Sequence, residues 1–281
     1  MRFSLEVFPP RTADGLGDLS DTVVRLSALD PLFVSVTYGA GGSDQHRSFD
    51  AIRAVGGAGA VVAGHVTCVG QSTADVDAVV DRYSALGVEH IVALRGDPPD
   101  GAGGAYAPHP DGYRRTADLV AAVKARGFDV AVSAYPERHP QSPSVAHDLD
   151  VLAEKVDAGA DRAITQMFFD NELFLRHRDR LAGRGLDIPL VPGVFPIHSF
   201  PAVARFAARC GATMPDRVAQ RFAGLDDDRD GTHAVAADLA AAQIAELAEH
   251  GVEHVHLYTL NRAELALAVG ERLGAVDRVG S

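Results

Sequence analysis

Carboxylates, imidazoles, hydroxyls and guanidinium groups recur in this sequence where short apolar runs end. Glu6 closes the first run and is followed by Val7-Phe8-Pro9-Pro10. Thr37 and Tyr38 close the second, ahead of Gly39-Ala40-Gly41-Gly42. His65 lies in the third. Arg95-Gly96-Asp97 follows the fourth, Tyr135-Pro136-Glu137-Arg138-His139 the fifth, Thr165-Gln166 the sixth, and Thr259-Leu260-Asn261-Arg262 the last. Glu6 and Asp97 are candidate acid–base groups, and Arg95 is a candidate partner for an anion. Each has a plain structural reading when taken singly. Glu6 reads as a solvated or paired carboxylate, His65 as a hydrogen-bonded core or surface residue, and Arg95 with Asp97 as a structural ion pair. What the sequence adds is their joint recurrence at run ends, which implies one polar mouth serving a small polar substrate. His254 and His256 alternate and so share a strand face, but no third ligand stands at metal spacing, and no metal is expected. The Asp226-Asp227-Asp228 run reads as a solvated helix start favoured by the helix dipole. No GxSxG elbow, P-loop or HExxH is present.

The runs that must position these groups number eight, at residues 3–7, 33–37, 61–67, 90–94, 130–134, 162–166, 189–193 and 254–260. Most are continuously apolar, as parallel strands covered on both faces are. Between them lie helical stripes. Val76, Val79, Val80 and Tyr83 form one, and Leu149, Leu152, Ala153 and Val156 another. Gly87, Gly127, Gly159 and Gly251 stand where a left-handed helix terminator is expected. Asp170 and Ser199 are candidate N-caps, and Thr232 is a candidate start for the long helix through Leu247. Eight βα units over residues 1–281 predict an α/β fold, a single (β/α)₈ TIM barrel forming one catalytic domain, with function at the C-terminal ends of the strands. A doubly wound sheet is the rival, although no Gly-x-Gly of the chain completes the dinucleotide fingerprint.

The formal charge of −12, from 26 basic against 38 acidic residues, argues against binding nucleic acid or an anionic membrane. A local basic pocket for a small anion remains compatible with it. Cys68 and Cys210 are the only cysteines and form no metal or disulfide pattern. No signal core precedes the first run, and no apolar stretch approaches a membrane span, so a cytoplasmic location is expected. The sequence does not specify oligomeric state, and a homo-oligomer is compatible with it.

Segments along nearly the whole chain resemble the methylenetetrahydrofolate reductases. They are Ser4-Leu5-Glu6-Val7-Phe8-Pro9-Pro10-Arg11-Thr12, Phe33-Val34-Ser35-Val36-Thr37-Tyr38-Gly39, His65-Val66-Thr67-Cys68 and Ala93-Leu94-Arg95-Gly96-Asp97. Further on come Ala134-Tyr135-Pro136-Glu137, His139-Pro140, Lys155-Val156-Asp157-Ala158-Gly159, Ala163-Ile164-Thr165-Gln166 and Tyr258-Thr259-Leu260-Asn261-Arg262-Ala263-Glu264. The resemblance implies the catalytic barrel alone, without the regulatory domain of longer relatives. It implies bound FAD, NADH or NADPH as hydride donor, and interconversion of 5,10-methylenetetrahydrofolate and 5-methyltetrahydrofolate by ping-pong transfer. Glu6 then matches the acid that opens the folate imidazolidine ring, with a pKa expected to be raised by burial. Asp97 matches a carboxylate beside the flavin that lowers its potential. The implied flavin cradle is Thr37, His65, Leu94, Arg95, Gly96, Asp97, Tyr113, Ser133, Tyr135, His139, Asp148 and Lys155. Arg95 and Lys155 would face the FAD phosphates. Glu6, Asp97, Gln166, Phe206, Leu260 and Arg262 would contact folate. The chain departs from the pattern at Val151 and Ala202, where some relatives carry polar contacts, and through the Gly/Pro-rich residues 98–115. Another flavin barrel, or a folate- or flavin-binding module without catalysis, would be the competing readings. Presence of both Glu6 and Asp97 counts against the binding module.

Overall fold

The structure is a computed structural model that describes residues 1–12, 14–38, 42–97 and 107–276, with the side chains of 42–44 excepted. Gly39-Ala40-Gly41 and residues 98–106, which the sequence places in mouth loops, lie outside the described residues.

The apolar runs form one all-parallel sheet. Its strands are β1 (Arg2–Val7), β2 (Val34–Val36), β3 (Val62–Thr67), β4 (His90–Leu94), β5 (Asp129–Ala134), β6 (Arg162–Thr165), β7 (Leu190–Val191), β8 (Gly193–Val194) and β9 (His254–Tyr258). Their order is β7-β6-β5-β4-β3-β2-β1-β9-β8. The first strand therefore pairs with the last, Ser4 beside His256 and Glu6 beside Tyr258. β7 and β8 are the two halves of the run expected at 189–193, parted at Pro192, which has no N–H to donate to a ladder. The Pro192 carbonyl accepts from the His256 N–H at 2.9 Å, and the Gly193 N–H donates to the Thr165 hydroxyl at 2.9 Å. The interrupted run thus joins both neighbours, and eight strand positions close into the (β/α)₈ barrel expected from the sequence.

Two apolar layers hold the barrel. Phe33, Ala63, Val92, Ala131, Ile164 and Val191 fill its interior. A much larger cluster lies between strands and helices, where α3 (Thr73–Ala85) buries the expected stripe of Val76, Val79, Val80 and Tyr83. The Tyr83 ring occupies the space a side chain at Gly64 would need, since a Cβ there would sit 2.5 Å from it. In α5 (Val145–Asp157) the buried residues are Leu149, Leu152 and Lys155, with the expected Val156 partly buried against the core and a lysine added on the inward side.

Helix ends follow the residue types. Gly87, Gly127, Gly159 and Gly251 all have positive φ, as helix terminators do. Asp170 caps α6 (Asn171–Gly183) by accepting the Glu172 N–H. Ser199 precedes α7 (Phe200–Arg209) without a side-chain cap bond. The long helix, α9 (Arg229–Glu249), starts three residues before Thr232 because Asp228 accepts the Gly231 N–H. The remaining helices are α1 (Gly15–Leu26), α2 (Gly42–Gly57), α4 (Thr116–Lys124), α8 (Asp216–Arg221) and α10 (Ala263–Arg272). Among the described residues no helix is long and apolar enough to cross a membrane.

Candidate active site

A cavity of about 660 Å³ opens among the C-terminal ends of the strands, a volume that suits a cofactor-sized ligand. Glu6 lies in its lining. Strand alternation turns Ser4 and Glu6 inward while Phe3, Leu5 and Val7 pack against helices. The Glu6 carboxylate sits between two imidazoles, with His65 Nε2 at 3.4 Å and His256 Nε2 at 3.7 Å from Oε2. Burial pushes its pKa up, but the His256 contact and the positive potential of both rings outweigh burial and hold it below the usual carboxylate value. This corrects the expectation of a raised pKa, which considered burial without the two basic neighbours. Burial meanwhile lowers the pKa of His65 despite the facing carboxylate.

The residues after β9 fasten this wall. The sequence run 254–260 was expected to stay extended, but the strand ends at Tyr258 and Leu260 and Asn261 take left-handed φ of 52° and 55°. Asn261 Oδ1 accepts the Phe8 N–H at 3.0 Å and its Nδ2 donates to the Phe8 carbonyl at 2.9 Å. The Thr259 hydroxyl donates to the Glu6 carbonyl at 2.7 Å. These bonds hold a strained turn to the exit of β1 and place Leu260 in the cavity wall. Arg262 is spent differently. It precedes α10, is exposed, and is not in the described lining.

The opposite wall is built from β3, β4, β5 and α5. Lys155, one of only two lysines, is buried with the Ser133 carbonyl at 2.9 Å and hydroxyl at 3.3 Å as its hydrogen-bond partners. Burial, opposed in part by Asp148, pushes its pKa down to about 8. A buried ammonium whose bonding partners are neutral is a ready site for an anionic ligand. Asp148, two turns earlier on the same helix, accepts the His139 N–H at 3.0 Å. His139 packs edge-on to Tyr135 at 4.8 Å, and burial, then Arg95, lowers its pKa, so a neutral ring faces the cavity at neutral pH. Thr67 Oγ1 is buried in this wall without a hydrogen-bond partner. Thr37, Leu94, Arg95, Gly96, Asp97 and Gln166 complete the expected lining. Gly96 has φ of 83°, and a Cβ there would strike Val69 at 2.4 Å, so the turn that presents Arg95 and Asp97 requires glycine. Phe206, on α7, continues an aromatic wall through Phe195 to Tyr258, with ring centroids 5.8 Å apart at each contact.

Several lining residues were not anticipated, among them Arg114, Arg115, Gln141 and His177. His256 is another. Its alternation with His254 was the available signal, weighed only against metal binding; among the described residues no group could hold a metal. Tyr113, an expected flavin contact, is not in the described lining, and its hydroxyl donates to Asp77 at 2.7 Å.

A sequence model described as methylenetetrahydrofolate reductase matches residues 1–274. The chain is 42% identical over 273 residues to the 5,10-methylenetetrahydrofolate reductase of Escherichia coli, covering 96% of this chain and 90% of that protein. It belongs to the methylenetetrahydrofolate reductase family. A reductase from Pectobacterium carotovorum is also 42% identical, with 96% and 89% covered. The plant relative named methylenetetrahydrofolate reductase (NADH) 1, from Arabidopsis thaliana, is 31% identical over 98% of this chain but 48% of its own length. Among solved structures, a Clostridium thermocellum protein described as binding two copies of 5-methyl-5,6,7,8-tetrahydrofolic acid superposes with a TM-score of 0.60 over 96% of this chain and 95% of that one. At 12% identity this likeness concerns the fold alone.

Proposed function

We propose that this member of the methylenetetrahydrofolate reductase family is an FAD-dependent enzyme that interconverts 5,10-methylenetetrahydrofolate and 5-methyltetrahydrofolate, with NADH or NADPH as the other substrate. The observation that carries this reading is the placement of Glu6, Asp97 and the buried Lys155 around one cavity in a chain of this family. FAD supplies hydride transfer when bound. Lys155 is placed to receive a phosphate, with Arg95 beside the same cavity as a second cation. Thr67 Oγ1 and the His139 ring offer hydrogen bonds to neutral edges of the cofactor. The aromatic wall of Phe206, Phe195 and Tyr258 supports stacking by a flat ligand.

Glu6 then acts on the folate. Its proton goes to a nitrogen of the five-membered imidazolidine ring, the ring C–N bond breaks, and the exposed iminium carbon accepts hydride. With the cavity filled, the carboxylate loses what water it has, which favours the protonated form the step needs. The Asp97 carboxylate borders the mouth, where it would disfavour negative charge on a reduced cofactor and so favour hydride donation to folate. Gln166 and Leu260 border the same space and are placed to contact the pterin.

Since one cavity holds the reacting groups, nicotinamide and folate take turns in it, and the kinetics are ping-pong with parallel double-reciprocal lines. The test is direct. Purified protein binds FAD and turns yellow, is bleached anaerobically by NADH or NADPH, and recovers its colour with methylenetetrahydrofolate. Folded protein that takes up no FAD overturns the reading, and intersecting lines overturn the shared site.

A further inference from the structure

We infer that His177 is a ligand for the purine nucleoside end of the dinucleotide cofactor, which it meets in a largely apolar niche between α4, α5 and α6. The inference rests on the proposed reading of the cavity as an FAD site. It goes beyond that reading, which places the flavin and the phosphates and leaves this side of the cavity without a role.

His177 interrupts an apolar helix face. The buried stripe of α6 runs Phe174, His177, Leu181, at helical spacing. The ring is 1% exposed, and neither of its nitrogens has a hydrogen-bond partner among the described residues. A leucine or phenylalanine would continue the stripe without loss, whereas a buried polar group left unbonded costs stability. The same ring lines the cavity shared by Glu6, Asp97 and Lys155. A partner for it therefore comes from what fills the cavity. A lone water would need at least two polar partners, and the lining that the middle of α5 offers beside it is Val151 and Leu152.

Three helices shape the niche. α4 contributes Thr116 and Ala117 from its first turn, both buried. α5 contributes Val151 and Leu152, one turn before Lys155. α6 contributes His177. Glu6 and Asp97 stand elsewhere in the lining, on β1 and after β4. A dinucleotide with its reacting ring at Glu6 and Asp97 and a phosphate at Lys155 still has its second nucleoside to place. The apolar lining next to Lys155 is the part of the cavity that the flavin chemistry does not use.

The chemistry of the niche selects a purine. Its flat faces suit the aliphatic side chains, and its edge offers ring nitrogens and an exocyclic amine to a single polar group, the usual division of labour in a ligand pocket. A neutral imidazole carries one donor and one acceptor, so it serves either kind of edge atom. The ring is neutral at neutral pH, because burial and, to a smaller extent, Arg180 push its pKa down to about 4 against the opposing charge of Asp148. A neutral ring gives a phosphate no charge-assisted bond, and that part falls to Lys155 and Arg95.

The experiment compares FAD with FMN, which share the flavin and the first phosphate and differ by the adenylate. Flavin-depleted, full-length protein is titrated with each, as the parent and as His177→Phe, which keeps a planar ring of similar size and removes both nitrogens. FAD affinity should fall by roughly tenfold, the scale of one hydrogen bond to a buried group, and FMN affinity should stay as in the parent. The flavin-free variant should melt at the same or a higher temperature, since the unbonded nitrogens are gone. Should His177→Phe not fold, His177→Leu takes its place. In protein labelled with heavy nitrogen at histidine, the His177 ring signals should shift with FAD, remain those of a neutral ring, and stay in place with FMN. An unchanged ratio of FAD to FMN affinity, or an equal loss for both flavins, would overturn the assignment. So would a ring that gains a second proton with FAD, because that would put a phosphate in the niche. Parent protein that binds neither flavin would instead overturn the FAD reading of the cavity.

Discussion

In the proposed reaction Glu6 is the acid, and that role sets a specific expectation. Glu6→Gln should retain FAD and its reduction by nicotinamide, and lose folate reduction by roughly 10²–10⁴-fold, because only the folate half needs a proton donor. Equal loss in both halves, measured separately by stopped flow, would make Glu6 a structural group. Lys155 carries a different expectation. As a buried cation bonded to Ser133 alone, it is costly without an anionic ligand. Lys155→Met should therefore weaken FAD binding by roughly tenfold or more, the scale of a charge-assisted hydrogen bond, while the apoprotein melts at the same or a higher temperature. A variant with weaker folding and unchanged FAD affinity would contradict this.

The strands and turns that carry these residues depend on a few close approaches. A Cβ at Gly193 would lie 2.2 Å from the Thr165 carbonyl oxygen and 2.7 Å from the Tyr258 ring, at the seam where β8 meets β9. Gly193→Ala should destabilise the protein by about 1–3 kcal/mol, read from the urea midpoint, with loss of FAD as the Tyr258 wall is displaced. The existence of eight strand positions was legible in the sequence because runs such as Val130–Val132 and Ile91–Leu94 are apolar on both faces. The split at Pro192 was less legible, since it depends on which partners each half finds across the seam. In the site, Glu6 and Asp97 were legible at the run ends, and Lys155, on α5, through the family resemblance. The turn at Leu260 and Asn261 was not, because positive φ at a leucine is imposed by bonds to Phe8, distant in sequence. The lowered pKa of Glu6 was hidden for the same reason, since it depends on strands β3 and β9 being brought to β1.

For the protein as a whole, acid stability draws on groups of opposite chemistry and the same sign, His177 and His254 among the imidazoles and the partly buried Asp129 among the carboxylates. His177, 1% exposed with neither ring nitrogen hydrogen-bonded, has its pKa pushed down to about 4, mainly by burial. The unfolded chain binds that proton near pH 6.5, so its contribution is complete above 6.5 and is lost as pH falls toward 4. It amounts to about 3 kcal/mol, a sizeable share of a typical total. Asp129 is raised by burial but more strongly lowered by His90 and Arg162, to about 2. Its contribution, about 2 kcal/mol, is complete above pH 4 and is lost between 4 and 2. Urea midpoints against pH should thus fall in two stages. His177→Leu should shrink the first stage, leaving the share of His254, whose pKa burial also pushes down to about 4, and leave the second unchanged. A single fall below pH 4 in the parent protein would contradict the assignment to His177.

The pairing of β1 with β9 also bears on how the chain is made. On the ribosome Ser4 emerges 252 residues ahead of its partner His256, and Phe8 emerges 253 residues ahead of the Asn261 that clasps it. Until β9 is made, β1 can gain β2 on one side, while its other edge stays open. Nascent chains truncated before His254 should therefore expose an unpaired parallel edge beside an incomplete acid site. Glu6 acquires its His256 neighbour only once β9 has been made, so a stalled or clipped product would carry the residue without the environment that tunes it.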